Sequence, residues 1–164
     1  MHERTITLNG FSKAYAMTGW RMGWITAPDH LIEAINKLQQ QTITCVPPFI
    51  QRAGIVALRE CASCVEDMRK EFAKRRLAAL GQIDEMHTLD AFKPSGAFYI
   101  FAKYLPEINS FSLAEQLLED YKVAVTPGGA FGIAGEGYIR ISYAASTERL
   151  LEGLRRIDKG LSSM

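Results

Sequence analysis

The sequence predicts an α/β chain of the α+β kind, in which a short mixed or antiparallel sheet is flanked by helices. Two observations carry this. Short runs dense in β-branched and aromatic residues recur along the chain, among them TITLNG, GAFYIFAKY and GYIRISYA. Between them lie longer segments whose apolar residues return every three or four positions, the mark of amphipathic helices. With 164 residues, 48% of them apolar and 23% charged, the chain has the material for a real core and suits one compact domain or one and a half.

In chain order, TITLNG (residues 5–10) reads as a strand and RMGWITAP (21–28) as a second one stopped by Pro28, so Lys13 falls on the connection between them. Asp29 can cap a helix with Leu31, Ile32, Ile35 and Leu38 on one face, running to about Gln41. TCVPPF breaks that pattern with two prolines, and a domain boundary is expected there. A helical pattern follows through Phe49, Ile50, Ala53, Val56 and Ala57, then a long one from Val65 to Ile83 with Arg69, Lys70, Lys74, Arg75 and Arg76 mostly on its wet side. The period then alternates in GAFYIFAKY, a strand. SLAEQLLEDY is a helix with a capping box of Ser112 and Glu115. KVAVTPGG and GYIRISYA are further strands, and STERLLEGLRRIDKG is the closing helix. No internal repeat or low-complexity segment is present.

Nineteen basic against eighteen acidic side chains give no net field that would recruit nucleic acid or an anionic membrane. Met1 is followed by His2, Glu3 and Arg4 rather than by an apolar signal segment, and no apolar run reaches membrane-spanning length. Three cysteines without an even framework fit a reducing cytoplasm. Cytoplasmic residence, no nucleic acid and no membrane partner are the resulting expectations.

Few residues stand out chemically. Lys13 lies among Ala14, Ala16 and Met17, where partial desolvation would favour the neutral amine, a nucleophile for a carbonyl; a solvated loop lysine is the plainer reading. Arg21 lies between Gly19 and Gly23, whose missing side chains would admit a bulky anion to a guanidinium fork, although alone it reads as a surface arginine at a strand entry. Arg140 sits mid-strand on the face of Tyr138 and Ser142, opposite Ile139 and Ile141. A guanidinium there needs a partner, either a protein carboxylate or a ligand carboxylate. PGGAFGIAGEG matches neither the dinucleotide fingerprint nor the P-loop and reads as a turn-rich approach to the Arg140 strand. Cys61 and Cys64 lack a second pair or a nearby histidine and read as chance core cysteines, while His2, His30 and His87 have no ligand spacing, so no metal site is expected.

Read together, SKAYAMTGWRMG resembles the lysine motif of the fold type I pyridoxal-phosphate enzymes, specifically the class I/II aminotransferases of the aspartate aminotransferase superfamily. KPSGAFYIF and VAVTPGGAFGIAGEGYIRISYAAS are similar to the small-domain strand and the carboxylate-binding strand of the same enzymes, so the resemblance spans nearly the whole chain. It implies pyridoxal 5'-phosphate as cofactor, Lys13 as the lysine that holds it covalently and then moves the substrate proton, and Arg21 as a phosphate ligand. Ser12 would be a further phosphate contact, and Arg140 the clamp on the substrate α-carboxylate. Gly10 stands three before the lysine, where several relatives have a serine.

In that family the acid that pairs with the pyridine nitrogen, the stacking ring and a phosphate-binding helix come from well before the lysine. The expectation is therefore a C-terminal portion of such an enzyme: residues 1–46 the end of the large cofactor-binding domain, residues 47–164 the small domain, inactive alone. The implied reaction moves an amino group between an L-amino acid and a 2-oxo acid. A lyase or synthase of the same fold, or an aminotransferase-like effector domain of a transcription regulator, are the alternatives. A homodimer is implied by the resemblance, and strands cut from their sheet, with open edges, predict a dimer or swapped oligomer.

Overall fold

A computed structural model describes residues 2–164. Met1, the first residue of the expected 1–46 segment, and the side chain of His2, to which the sequence assigns no role, lie outside the described residues. By packing, the chain divides into two compact units, Met1–Met68 and Arg69–Met164.

In the first unit, β1 (Thr7–Gly10) and β2 (Gly23–Thr26) form an antiparallel pair with Thr7 opposite Thr26 and Gly10 opposite Gly23. The close approach of this pair requires Gly23 to be bare, since a Cβ there would stand 2.7 Å from the Asn9 carbonyl oxygen. Helix α1 (Asp29–Thr42) follows. Its cap differs from expectation: Pro28 occupies the capping position and Asp29 is the first helical residue, where its carboxylate still complements the positive end of the helix dipole. Helix α2 (Pro48–Glu60) begins on Pro48, whose missing N–H costs nothing in a first turn. Little of this unit is closed off from water. Phe11, Gly54 and Ala57 are buried, no residue of α1 is, and Leu8, Leu38, Ile43 and Phe49 are each about 70% exposed.

Helix α3 (Ala62–Asp84) contains the division between the units. The second unit then adds β3 (Leu89–Ala91), β4 (Tyr99–Tyr104), α4 (Ser110–Glu119), β5 (Thr126–Pro127), β6 (Tyr138–Ser142) and α5 (Thr147–Ser162). Its sheet has the order β3-β4-β6-β5 and is antiparallel throughout. The inward residues Ile100, Ala102, Ile139 and Ile141 join Ala79 and Ile83 of α3, Leu113 and Leu117 of α4, and Leu154 and Ile157 of α5 in one core. Ser146 caps α5 by accepting from the Arg149 N–H.

Three local expectations are corrected. The side chain of Asn109, not the pair Ser112 and Glu115, caps α4 by accepting from the Phe111 N–H, so the helix starts two residues earlier. The strand expected over KVAVTPGG shrinks to Thr126–Pro127 because its first residues close α4: Lys122 turns left-handed at φ 58° and the Val123 N–H returns to the Leu117 carbonyl. Strand β3, three residues at a sheet edge, is an addition.

The contrast in burial has a measurable outcome. Amide hydrogen exchange should be slowest in β4, β6 and α5 and faster in β1, β2 and α1, because protection follows buried contacts. Equal protection of β1 and β6 would contradict it.

Candidate active site

The connection between β1 and β2, residues 11–22, carries Ser12, Lys13 and Arg21. Its anchor is Phe11, a residue the sequence reading passed over. Phe11 is 4% exposed, and its ring lies 5.3 Å from that of Tyr15 and 5.0 Å from that of Trp24. Its N–H donates to the Met22 carbonyl, and its own carbonyl accepts from the N–H groups of Tyr15 and Met17, so one residue ties both ends of the loop and its first turn. Gly54 of α2 lets the loop seat: a Cβ there would meet the Met22 side chain at 2.5 Å and the Phe11 ring at 3.3 Å. An aromatic directly before Ser12 and Lys13 was the available signal, but only the folded loop reveals what it packs on.

Lys13 is exposed on this loop, and so are Ala14 and Ala16 beside it. Its exposure agrees with the plainer reading of a solvated loop lysine, since Ala14 and Ala16 are too short to cover it. Ser12 is half-buried. Arg21 is exposed, follows a 3-10 turn at Thr18–Trp20, and has φ 51° and ψ 46°, the left-handed region that costs a residue with a Cβ roughly 1–2 kcal/mol. Ala16 on the same loop also has positive φ. The Arg21 guanidinium donates to the Thr18 carbonyl at 3.1 Å, which folds the side chain back over its own turn. The two flanking glycines differ in use: space around Gly19 is open, whereas Gly23 serves the strand pairing. Ser12, Lys13 and Arg21 thus come together on one connection, and Arg140 belongs to the second unit.

Arg140 stands on the outer face of β6, as its alternation with the buried Ile139 and Ile141 predicts. Among the described residues no carboxylate pairs with it. Instead its guanidinium donates to the Thr126 hydroxyl at 3.2 Å and lies 4.2 Å from the ring centre of Tyr99 and 4.9 Å from that of Phe131.

Phe131 comes from the glycine-rich run, which forms two 3-10 turns, Gly128–Phe131 and Ile133–Gly135. These fold against each other so closely that a Cβ on Gly128 would collide with the Gly135 carbonyl, and one on Gly135 with the Gly128 carbonyl. Glu136 fastens the loop. Its carboxylate accepts from the Ser110 N–H at 2.6 Å, from the Ser110 hydroxyl at 2.8 Å and from the Tyr104 hydroxyl at 3.3 Å. The Ser110 oxygen in turn accepts from the Gly129 N–H.

The cysteines differ from expectation: Cys64 is exposed and Cys61 half-buried at the end of α2, so neither is a core residue. Burial, then the neighbouring Cys64, pushes the Cys61 thiol up, away from thiolate reactivity. Among the described residues no helix is long and apolar enough to cross a membrane.

Comparison with known proteins bears on the chain as a whole. Residues 1–157 match the model for aminotransferase class I and II, and the chain belongs to that family, whose members generally depend on pyridoxal phosphate. It is 49% identical over 164 residues to an aspartate aminotransferase of Pyrococcus abyssi, covering 98% of this chain and 42% of that protein. It is 46% identical to the aromatic-amino-acid aminotransferase 2 of Thermococcus litoralis, covering 98% and 42%. The crystal structure of an aromatic aminotransferase from Pyrococcus horikoshii superposes with a TM-score of 0.93 at 46% identity, over 99% of this chain and 44% of that one. The chain thus spans about two-fifths of the length of these relatives.

The Glu136 network carries a pH dependence. Hydrogen bonds from the Ser110 N–H, then the Ser110 hydroxyl, hold the Glu136 carboxyl below its ordinary 4.5. A carboxyl depressed in the folded state stabilises fully above the ordinary value, and that share is lost as pH falls through the depressed one. Glu148 and Glu152 are also depressed, the first by its own backbone N–H and Ser146, the second by Arg155 and Arg156, so wild type should lose melting temperature from several sources in acid. Glu136→Gln should melt lower than wild type at neutral pH, and the gap should narrow as the buffer goes from about pH 6 to about pH 3. A gap that stays constant over that range would remove Glu136 from the account.

Proposed function

We propose that this chain supplies the covalent-lysine loop and the carboxylate-binding strand of a pyridoxal-phosphate-dependent aminotransferase, which moves an amino group between an L-amino acid and a 2-oxo acid. The observation that carries the reading is the single connection on which Ser12, Lys13 and a left-handed Arg21 stand together, within a chain of this family. A primary amine, a guanidinium fork and a hydroxyl are the donors that an aldehyde bearing a phosphate dianion calls for, so these residues fit the cofactor. Bound there, pyridoxal phosphate supplies the electron sink for breaking the bond to the substrate Cα hydrogen.

The chain's own residues have separate tasks in this reading. Arg21 and Ser12 would hold the cofactor's phosphate by charge and hydrogen bonds. The Lys13 amine would hold the cofactor covalently and, as a free amine, would serve as general base for the proton on the substrate Cα. Arg140 grips the substrate carboxylate, and the absence of a described protein carboxylate beside it leaves its charge for that purpose. The relatives reported above are named as aminotransferases, which favours transfer over a lyase, a synthase or a regulator's effector domain. We further propose that residues 1–46 belong to the larger cofactor-binding domain and residues 47–164 to the smaller one, and that the enzyme works as a cytoplasmic homodimer.

The test is a chimaera in which this chain replaces the matched 42% of the Pyrococcus abyssi aspartate aminotransferase. Transfer from aspartate to a 2-oxo acid should survive the exchange, and Lys13→Ala should lower kcat by at least about a thousandfold, the scale of a lost general base and covalent anchor. A Lys13→Ala chimaera within about tenfold of its parent would refute the assignment.

A further inference from the structure

The outer face of the four-stranded sheet gathers rings around one cation. Pairing sets Tyr99 opposite Ser142 and Phe101 opposite Arg140, on the face turned away from Ile100, Ile139 and Ile141. Phe101 stacks on Tyr138 with centres 5.0 Å apart and planes within 4°, and it meets Phe131 edge-on at 5.8 Å. Phe131 arrives from outside the sheet, on the loop that Gly128, Gly135 and Glu136 lock in place.

We propose that Phe131 is a positioning residue for Arg140: its ring, braced by Phe101, holds the guanidinium against Tyr99 and Thr126 so that the remaining N–H edge is offered to a ligand carboxylate. This rests on the reading of Arg140 as the carboxylate anchor. An arginine side chain has several free torsions, and a protein carboxylate is the usual means of fixing it. Such a partner would also neutralise it and occupy the donors that a ligand needs. Aromatic faces restrain the guanidinium and leave its charge in place. Of its five N–H donors, one on a terminal nitrogen goes to Thr126, which leaves enough for a bidentate grip. Phe131 is 52% exposed and lies outside the core, so changing it tests the cation rather than the fold.

The experiment follows the guanidinium resonances of Arg140 in the full 164-residue chain, assigned with Arg140→Lys, during titration with propionate and, as neutral control, propionamide. The wild-type signal should move with propionate alone. Phe131→Ala and Phe131→Leu should each bind propionate about two- to fivefold more weakly and speed rotation about the Arg140 Cζ–Nε bond, while Phe131→Tyr, which keeps a ring, should match wild type. Backbone spectra unchanged except at residues 127–137 and at the neighbours of the lost ring on β4 and β6 confirm that each variant is folded. A Phe131→Leu variant equal to wild type in both readouts overturns the proposal, because apolar cover would then suffice. A wild-type Arg140 indifferent to propionate overturns the anchor reading itself, an outcome distinct from equal binding by all the variants.

Discussion

The pairing register of β4 with β6 is the constraint on which the second unit depends. It sets Ile100 opposite Ile141 and Ala102 opposite Ile139 on the inner face, and Phe101 opposite Arg140 on the outer one. A slip of one residue would exchange the faces and drive the Arg140 guanidinium into the core that Ile100, Ala102, Ile139 and Ile141 line. Burying that charge without a partner costs several kcal/mol, so the hydrophobic core and the proposed carboxylate anchor enforce the same register. Stability and function are here two consequences of one alternation.

The first unit works on a different principle. Its hairpin buries little, and its order comes from Phe11, which ties the loop at three backbone hydrogen bonds while its ring packs between Tyr15 and Trp24. A loop held from one buried point can keep strained backbone, and Ala16 and Arg21 are both left-handed there. That strain is tolerable because Phe11 and Gly54 over-determine the loop from beneath. The cost falls where charged side chains must be aimed outward.

Much of this was legible in the sequence because it is periodic or local. The alternation Tyr138, Ile139, Arg140, Ile141, Ser142 disclosed which face Arg140 takes, and the β-branched runs around residues 7–10 and 23–26 put Lys13 on a connection. What escaped depends on contacts that sequence spacing does not encode. Asn109 outcompeted Ser112 as a cap because Ser110 was already bonded to Glu136, which fixes where α4 begins. Phe131 reaches Arg140 only because Gly128 and Gly135 cross almost backbone to backbone, a fold-back that five scattered glycines do not announce. The exposure of Lys13 follows the plainer of its two sequence readings, since alanines beside a residue in sequence shield little when the loop turns them to water.

The central claim is that Lys13, among all the lysines of the chain, is the one that takes the cofactor. The most direct measurement is borohydride reduction of the chimaeric enzyme with bound pyridoxal phosphate, followed by peptide mapping of the pyridoxyl group. The account predicts a single label on Lys13, in the peptide that also contains Ser12. A label on Lys37, Lys74 or any other lysine, with Lys13 unmodified, would contradict it.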